Sequence, residues 1–183
     1  MIVQMQTVDS IDGIDLDTLF ADSAARMDMN YIWAPGINDP AAKKNHYLGQ
    51  IQSAIDGTWS LKGDTDTLFM FTTTVDGILA DFAAGYKQAD GIVSLRWNLA
   101  SDNPALSNNW RFSPEARDER KRFSAEHGID GFKHYTWVGS LIYRMLKTRE
   151  QAGYVTLEEA PLVIDGQNPF PNYQMVTIIV RFV

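Results

Sequence analysis

Three side chains in this sequence are of types that move protons: Asp81, His134 and Tyr143. His134 lies in Phe132-Lys133-His134-Tyr135-Thr136-Trp137-Val138, which reads as a strand. Its ordinary pKa near neutrality suits a general base. The competing and commoner reading is a solvent-facing position, with Tyr135 and Trp137 on the opposite, buried face. Asp81 interrupts an apolar strand. Alternation puts Leu79, Asp81 and Ala83 on one face and Ile78, Ala80, Phe82 and Ala84 on the other. An acid among small residues can act as a base beside a cleft, or it can be a solvated position on a half-exposed face, which is commoner. Tyr143 carries a weakly acidic phenol, or it is a partly buried core tyrosine with its hydroxyl at the edge. Arg96 and Asn98 alternate with Leu95, Trp97 and Leu99. They either point into a groove that takes a polar ligand or mark the exposed face.

Other chemistries are poorly supported. The chain has no cysteine, which removes thiol catalysis, Cys-ligated zinc and iron–sulfur chemistry. His46, His127 and His134 stand at no ligand-like spacing, and Asp64-Thr65-Asp66 lacks the glycine and distal glutamate of a calcium loop; no metal is expected. There is no Gly-x-Ser-x-Gly, Walker-type loop or Gly-x-Gly-x-x-Gly. A net charge of -7 argues against a surface built to neutralise many phosphates, so no nucleic-acid partner is expected. No apolar run approaches the roughly 20 residues that span a bilayer, and Met1 to Gln6 has no signal-peptide pattern. The expectation is a soluble, cytoplasmic protein.

The elements that must position these residues are legible. Residues 2–8 alternate as a half-buried strand. From Asp15 the period becomes helical, with Leu16, Leu19, Phe20, Ala24 and Met27 on one face. Residues 30–38 are irregular. Asp39-Pro40 then opens a second helix, as cap and first helical residue, with Tyr47, Leu48, Ile51, Ala54 and Ile55 as its stripe and Gly57 as its stop. Residues 68–75, 78–86 and 92–99 are rich in strand formers and separated by Asp76-Gly77 and Asp90-Gly91, strong hairpin signals. They predict a three-stranded antiparallel meander, with Lys87-Gln88-Ala89 able to lengthen the second loop. Residues 101–112 read as polar and irregular. Ser113-Pro114 opens a charge-dense helix to about His127, stopped by Gly128. Its narrow apolar face, Ala116 and Phe123, places it on the surface as an interaction face or as a solvated helix with pairs such as Asp118–Arg122. After the 132–138 strand, Gly139-Ser140 leads into a helix with Leu141, Ile142, Met145 and Leu146. Strands over 154–164 and 175–183 finish the chain. With 183 residues and no linker or repeat, residues 1–183 form one domain.

The order β, α, α, β, β, β, α, β, α, β, β resembles the GNAT acyltransferase superfamily. The two Asp-Gly turns, the Ser113-Pro114 helix and the passage from Phe132 to Gly153-Tyr154 carry the resemblance. It implies an α/β (α+β) fold: a mixed, mostly antiparallel twisted sheet of about seven strands with about four helices. It also implies acyl-CoA, such as acetyl-CoA, bound where the fourth and fifth strands splay apart, between Leu95–Leu99 and His134–Trp137. Leu95, Trp97, Asn98 and Leu99 would then contact the cofactor, and Asn109, Arg111 and Ser113 would hold its phosphates at a helix N-terminus. Family members often use a tyrosine of the fourth helix to protonate the leaving thiolate, and Tyr143 is the candidate, although it stands further upstream. The family's Gln/Arg-x-x-Gly-x-Gly/Ala loop is missing. Residues 103–113 contain no glycine, Trp110 and Phe112 are bulky, and Glu115 brings negative charge near the expected phosphates.

Two functions follow. One is acyl transfer to a primary amine of a small molecule or peptide, with Tyr143, His134 and Asp81 as catalytic candidates. The other is a catalytically inactive protein of this fold that binds a protein partner. The compact, tryptophan-rich, cysteine-free style resembles products of short-tailed bacteriophages with virion-morphogenesis roles, which would place it in a host cytoplasm.

Overall fold

Seven strands form one sheet in the order β1-β2-β3-β4-β5-β7-β6 in the computed structural model, which describes residues 1–20, 37, 39–59, 63–101, 103–107 and 109–183. The strands are β1 (Val3–Thr7), β2 (Thr67–Val75), β3 (Ile78–Lys87), β4 (Ile92–Ala100), β5 (Gly131–Trp137), β6 (Val155–Pro161) and β7 (Met175–Phe182). Every neighbouring pair is antiparallel except β4 and β5, which run parallel. The described helical residues are 16–20 (α1), Pro40–Ile55 (α2), Pro114–Glu126 (α3) and Leu141–Gln151 (α4). The expected mixed, mostly antiparallel sheet of seven strands and the expected succession of strands and helices along the chain are present. Ala24, Met27 and most of the stretch 30–38 lie outside the described residues.

Local chemistry sets the boundaries. Asp76 and Gly77 both take positive φ, 49° and 81°, so two residues suffice to turn β2 into β3. At the second turn only Gly91 does so, and the loop lengthens to Gln88–Gly91, with Gln88 N–H donating to the Ile92 carbonyl. Asp39 accepts from Ala42 N–H at 2.8 Å, Ser113 from Ala116 N–H at 3.1 Å and Ser140 from Tyr143 N–H at 3.0 Å. Each cap satisfies a donor that the helix itself leaves unpaired.

The sheet is covered on both faces. Against one face pack α1 and α2 through Leu19, Phe20, Tyr47 and Ile51, over Phe82, Tyr86, Trp97 and Leu99. On the other, Phe123 of α3 meets Phe71, Val93, Leu95 and Phe132. The stretch before α3, expected to be irregular, contains one regular element. Trp110–Phe112 forms a 3-10 turn whose Trp110 is 1% exposed against Val3, Val75 and Leu106, so Trp110 is core. On α3, Arg122 pairs with Glu119 and Glu126 rather than with Asp118, which pairs with Arg117. Glu119 also accepts the Met5 N–H at 2.6 Å, so this helix pairs one donor of the open edge of β1 as well as meeting solvent. Among the described residues no helix is long and apolar enough to cross a membrane, and no group of three metal-ligating side chains occurs.

Candidate functional site

The site begins where one strand pair stops. β4 and β5 are in register only at Ile92–Gly131, Val93–Phe132 and Ser94–Lys133. Beyond that, β5 continues along β7 from His134–Ile178 to Trp137–Met175, while β4 continues along β3 to Ala100. The cause is a bulge. Ala84 faces Trp97 and Gly85 faces Leu95, so Arg96 is an extra residue on β4, and an extra residue bends and twists the strand that carries it. Gly85 permits this. A Cβ there would stand 2.1 Å from the Ser94 carbonyl oxygen and 2.9 Å from Leu95 Cα, so only glycine fits without displacing backbone.

The bulge also breaks the alternation. Leu95, Trp97 and Leu99 were expected on one face, but Leu95 faces the α3 side while Trp97 and Leu99 sit in the α2-side core. Arg96 is not a partner of Asn98. Its guanidinium lies on the α2 side, 4.4 Å from the Tyr135 ring centroid and 5.6 Å from that of Trp59. Beside it, Ser94 Oγ and Tyr135 Oη are hydrogen-bonded at 2.7 Å across the point where the strands part.

On the α3 and α4 side the opening widens into a cavity of about 510 Å³. Leu95, Asn98 and Ala100 line it from β4, and Phe132 and His134 from β5. Leu141, Ile142 and Met145 line it from α4. Leu141 and Ile142 are 44% and 37% exposed, and of the four apolar residues that mark this helix in the sequence only Leu146 is fully buried. His134 is half-buried, no more open to solvent than Tyr135 and Trp137, which were expected to be buried. Its neighbours on the same face, Phe132 and Thr136, are buried. Burial first, and the Arg149 charge second, hold the His134 imidazole down at about 4. At neutral pH the ring is uncharged and keeps a lone pair.

One wall of the cavity is ionic. Asp81 pairs with Arg111 at 2.9 Å. Arg111 also reaches the Ser101 carbonyl at 3.4 Å, and its own carbonyl accepts from Arg120 Nη1 at 3.0 Å and Arg149 Nη2 at 3.4 Å. The Arg111 guanidinium lies 4.5 Å from the Trp110 ring and that of Arg149 5.5 Å from Phe112. Burial pushes the Asp81 carboxyl above its ordinary range, with Arg111 opposing most strongly. Burial lowers Arg120 to about 10 and Arg149 to about 9.

Of the residues singled out by sequence, Asp81, Leu95, Asn98, Arg111 and His134 meet at this cavity. Trp97 and Leu99 do not. Ser113 caps α3, and Asn109 precedes the 3-10 turn without a side-chain capping bond. Tyr143 faces β6, where its hydroxyl donates to Glu159 at 3.3 Å and its ring packs beside Leu146 and Val155. Arg120 and Arg149 were missed. Arg120 was submerged in a charge run, and Arg149 gave only its position three residues after Leu146, on the same face of α4. The bulge had a signal, a lone glycine inside an apolar strand pattern.

No family model and no curated protein sequence matches the chain. Solved structures do. The acetyl transferase from Salmonella typhimurium that modifies the N-terminal serine of 50S ribosomal subunit protein L7/L12 superposes with a TM-score of 0.57, at 12% identity, over 100% of this chain and 96% of its own. PaiA N-acetyltransferase from Thermoplasma acidophilum, in complex with coenzyme A, gives 0.52 at 13% identity, over 100% of both chains. AAC(6')-Ib in complex with paromomycin and acetyl-CoA gives 0.57 at 11% identity, over 100% of this chain and 94% of its own. At these identities the likeness is one of fold, and that fold is the GNAT acetyltransferase fold.

Proposed function

We propose that the protein transfers an acyl group from an acyl-CoA donor to a primary amine. One observation carries this reading: the β4–β5 ladder ends after three residue pairs, and the two freed strand edges open on a cavity of about 510 Å³. An unladdered strand edge offers N–H and C=O groups that an amide-bearing chain such as pantetheine pairs with as an added strand would. A backbone N–H of β4 in the gap would polarise the thioester carbonyl. Aminolysis requires an uncharged amine; as the C–N bond forms and the C–S bond breaks, the amine's proton would pass by way of the neutral His134 imidazole to the departing thiolate, which leaves as free thiol. Tyr143, turned toward β6, is assigned no step, and Asp81 holds Arg111. The phosphates fit less simply than in a glycine-rich loop. The α3 N-terminus is closed by the Ser113 cap, has Glu115 in its first turn and follows a glycine-free connection. The cation charge lies deeper, on Arg111, Arg120 and Arg149. The fold neighbours whose names describe acceptors act on a protein N-terminal serine or are complexed with an aminoglycoside, which fits an amine nucleophile.

The glycine-free connection and Glu115 favour a second reading, in which the fold is kept to bind a protein partner without acyl transfer, a virion-morphogenesis role included. A thermal titration separates the two. A donor that binds the native state alone, at about 100 times its dissociation constant, adds about 2.7 kcal/mol. Millimolar acetyl-CoA is expected to raise Tm, and added amines to release free thiol. A Tm indifferent to acetyl-CoA and to larger acyl-CoA donors sinks acyl transfer.

A further inference from the structure

The ionic wall of the cavity carries more positive charge than it can pair. Asp81 is the one carboxylate among the described residues that line the cavity, against Arg111, Arg120 and Arg149. Arg149 is the sharpest case. It is 8% exposed, its Nε has no hydrogen-bond partner, and its Nη2 shares the Arg111 carbonyl with Arg120. Carbonyl acceptors satisfy N–H groups but do not neutralise a guanidinium, which keeps its proton at neutral pH. A desolvated cation without a counter-charge is costly. The other polar residues that line the cavity, Thr73, Asn98, His134, Thr148 and the exposed Arg144, supply no negative charge. The guanidinium carbons of Arg111 and Arg149 stand 4.5 Å and 5.5 Å from the ring centroids of Trp110 and Phe112, contacts that hold the two side chains in place without supplying a negative charge.

We propose that Arg111, Arg120 and Arg149 form an internal site for a phosphate group at the cavity wall, with Asp81 as its built-in counter-ion when no ligand is bound. The donors are side chains from the 3-10 turn, α3 and the last turn of α4, so the site is distinct from the backbone N–H groups at the start of α3. It takes either free phosphate or the phosphoryl group of a larger ligand that enters the cavity, and it stands independently of acyl transfer.

The test is a titration with inorganic phosphate, read by Tm and by phosphorus-31 line broadening, against sodium chloride of equal ionic strength. The wild-type chain should show a saturable phosphate response that chloride does not reproduce. Arg149→Gln should weaken the affinity at least about tenfold. Asp81→Asn removes the competing carboxylate at constant shape and should strengthen phosphate binding, a sign that mere structural damage does not produce. If Asp81→Asn folds only when phosphate is present, the site is supported as well. Coenzyme A displacing phosphate where phosphate-free pantetheine does not identifies a donor phosphoryl as the occupant. Phosphate bound but undisplaced identifies free phosphate, and acyl transfer is then judged by its own titration. No saturable response in the wild type, or equal affinity in all three chains, overturns the site. Acetyl-CoA stabilising wild type and Arg149→Gln alike, with phosphate inert, overturns it while leaving acyl transfer intact.

Discussion

His134 shows how far a side chain's role depends on what is packed around it. In sequence it sits between a lysine and a tyrosine on a strand with aromatic alternation, and nothing local buries it. In the fold it stands on the cavity wall beside Arg149, and its pKa is held near 4 against an ordinary value of 6.5. The unfolded chain therefore takes up a proton first as pH falls. The histidine's contribution to stability is complete above about pH 6.5 and is lost progressively toward and below pH 4, by roughly 3 kcal/mol at most. Urea unfolding at pH 7 and pH 4.5 should show this loss in the wild type, and a smaller one in His134→Gln. Identical losses in both would mean that His134 is not the desolvated group. The same burial keeps the ring neutral at pH 7 but makes it a weaker base than free imidazole, so it suits passing a proton on rather than keeping it.

Among the elements, β4 is the decisive one, and its shape depends on a residue of the neighbouring strand. The bulge at Arg96 requires β3 to approach without a side chain at Gly85, where a Cβ would lie 2.1 Å from the Ser94 carbonyl oxygen. Gly85→Ala must move backbone, and it is expected to cost about 2 kcal/mol or more. It should also abolish any stabilisation by acetyl-CoA, because the strand can relieve the clash only by giving up the bulge that parts it from β5. Wild-type stability in Gly85→Ala, measured by chemical denaturation, would show that the bulge does not depend on this close approach. The same element marks the limit of what sequence reveals. Asp76-Gly77 and Ser113-Pro114 were readable because a turn and a cap are decided by the residues within them. The order of elements pointed to the place where β4 and β5 part. What was not readable was the side to which each residue of β4 turns, since period-two reasoning fails at one inserted residue. That single offset moved Trp97 and Leu99 away from the slot and left Leu95 and Asn98 in it. Arg120 and Arg149 were hidden for a different reason: their burial is produced by the meeting of α3, α4 and the 3-10 turn, contacts that no local pattern encodes.

At the scale of the molecule, two sheet halves, β1 to β4 and β5-β7-β6, are joined by three residue pairs and bridged by α3, which packs on both β1 and β7. Anything lodged in the opening touches both halves, so binding there should couple directly to global stability. Charge works at two ranges. The whole chain carries -7, which repels an anionic acyl donor from a distance, while the arginines inside attract it once it arrives. Screening separates these effects, because the Debye length falls from about 30 Å at 0.01 M salt to about 8 Å at 0.15 M. Over that interval the long-range repulsion is largely removed, whereas the contact with partly buried guanidinium groups is screened much less. The association rate of acetyl-CoA, followed by stopped-flow tryptophan fluorescence, is therefore expected to rise with salt, with a smaller change in the dissociation rate. An association rate that falls as salt is added would mean that the field of Arg111, Arg120 and Arg149 extends out of the cavity mouth and overrides the acidic surface around it.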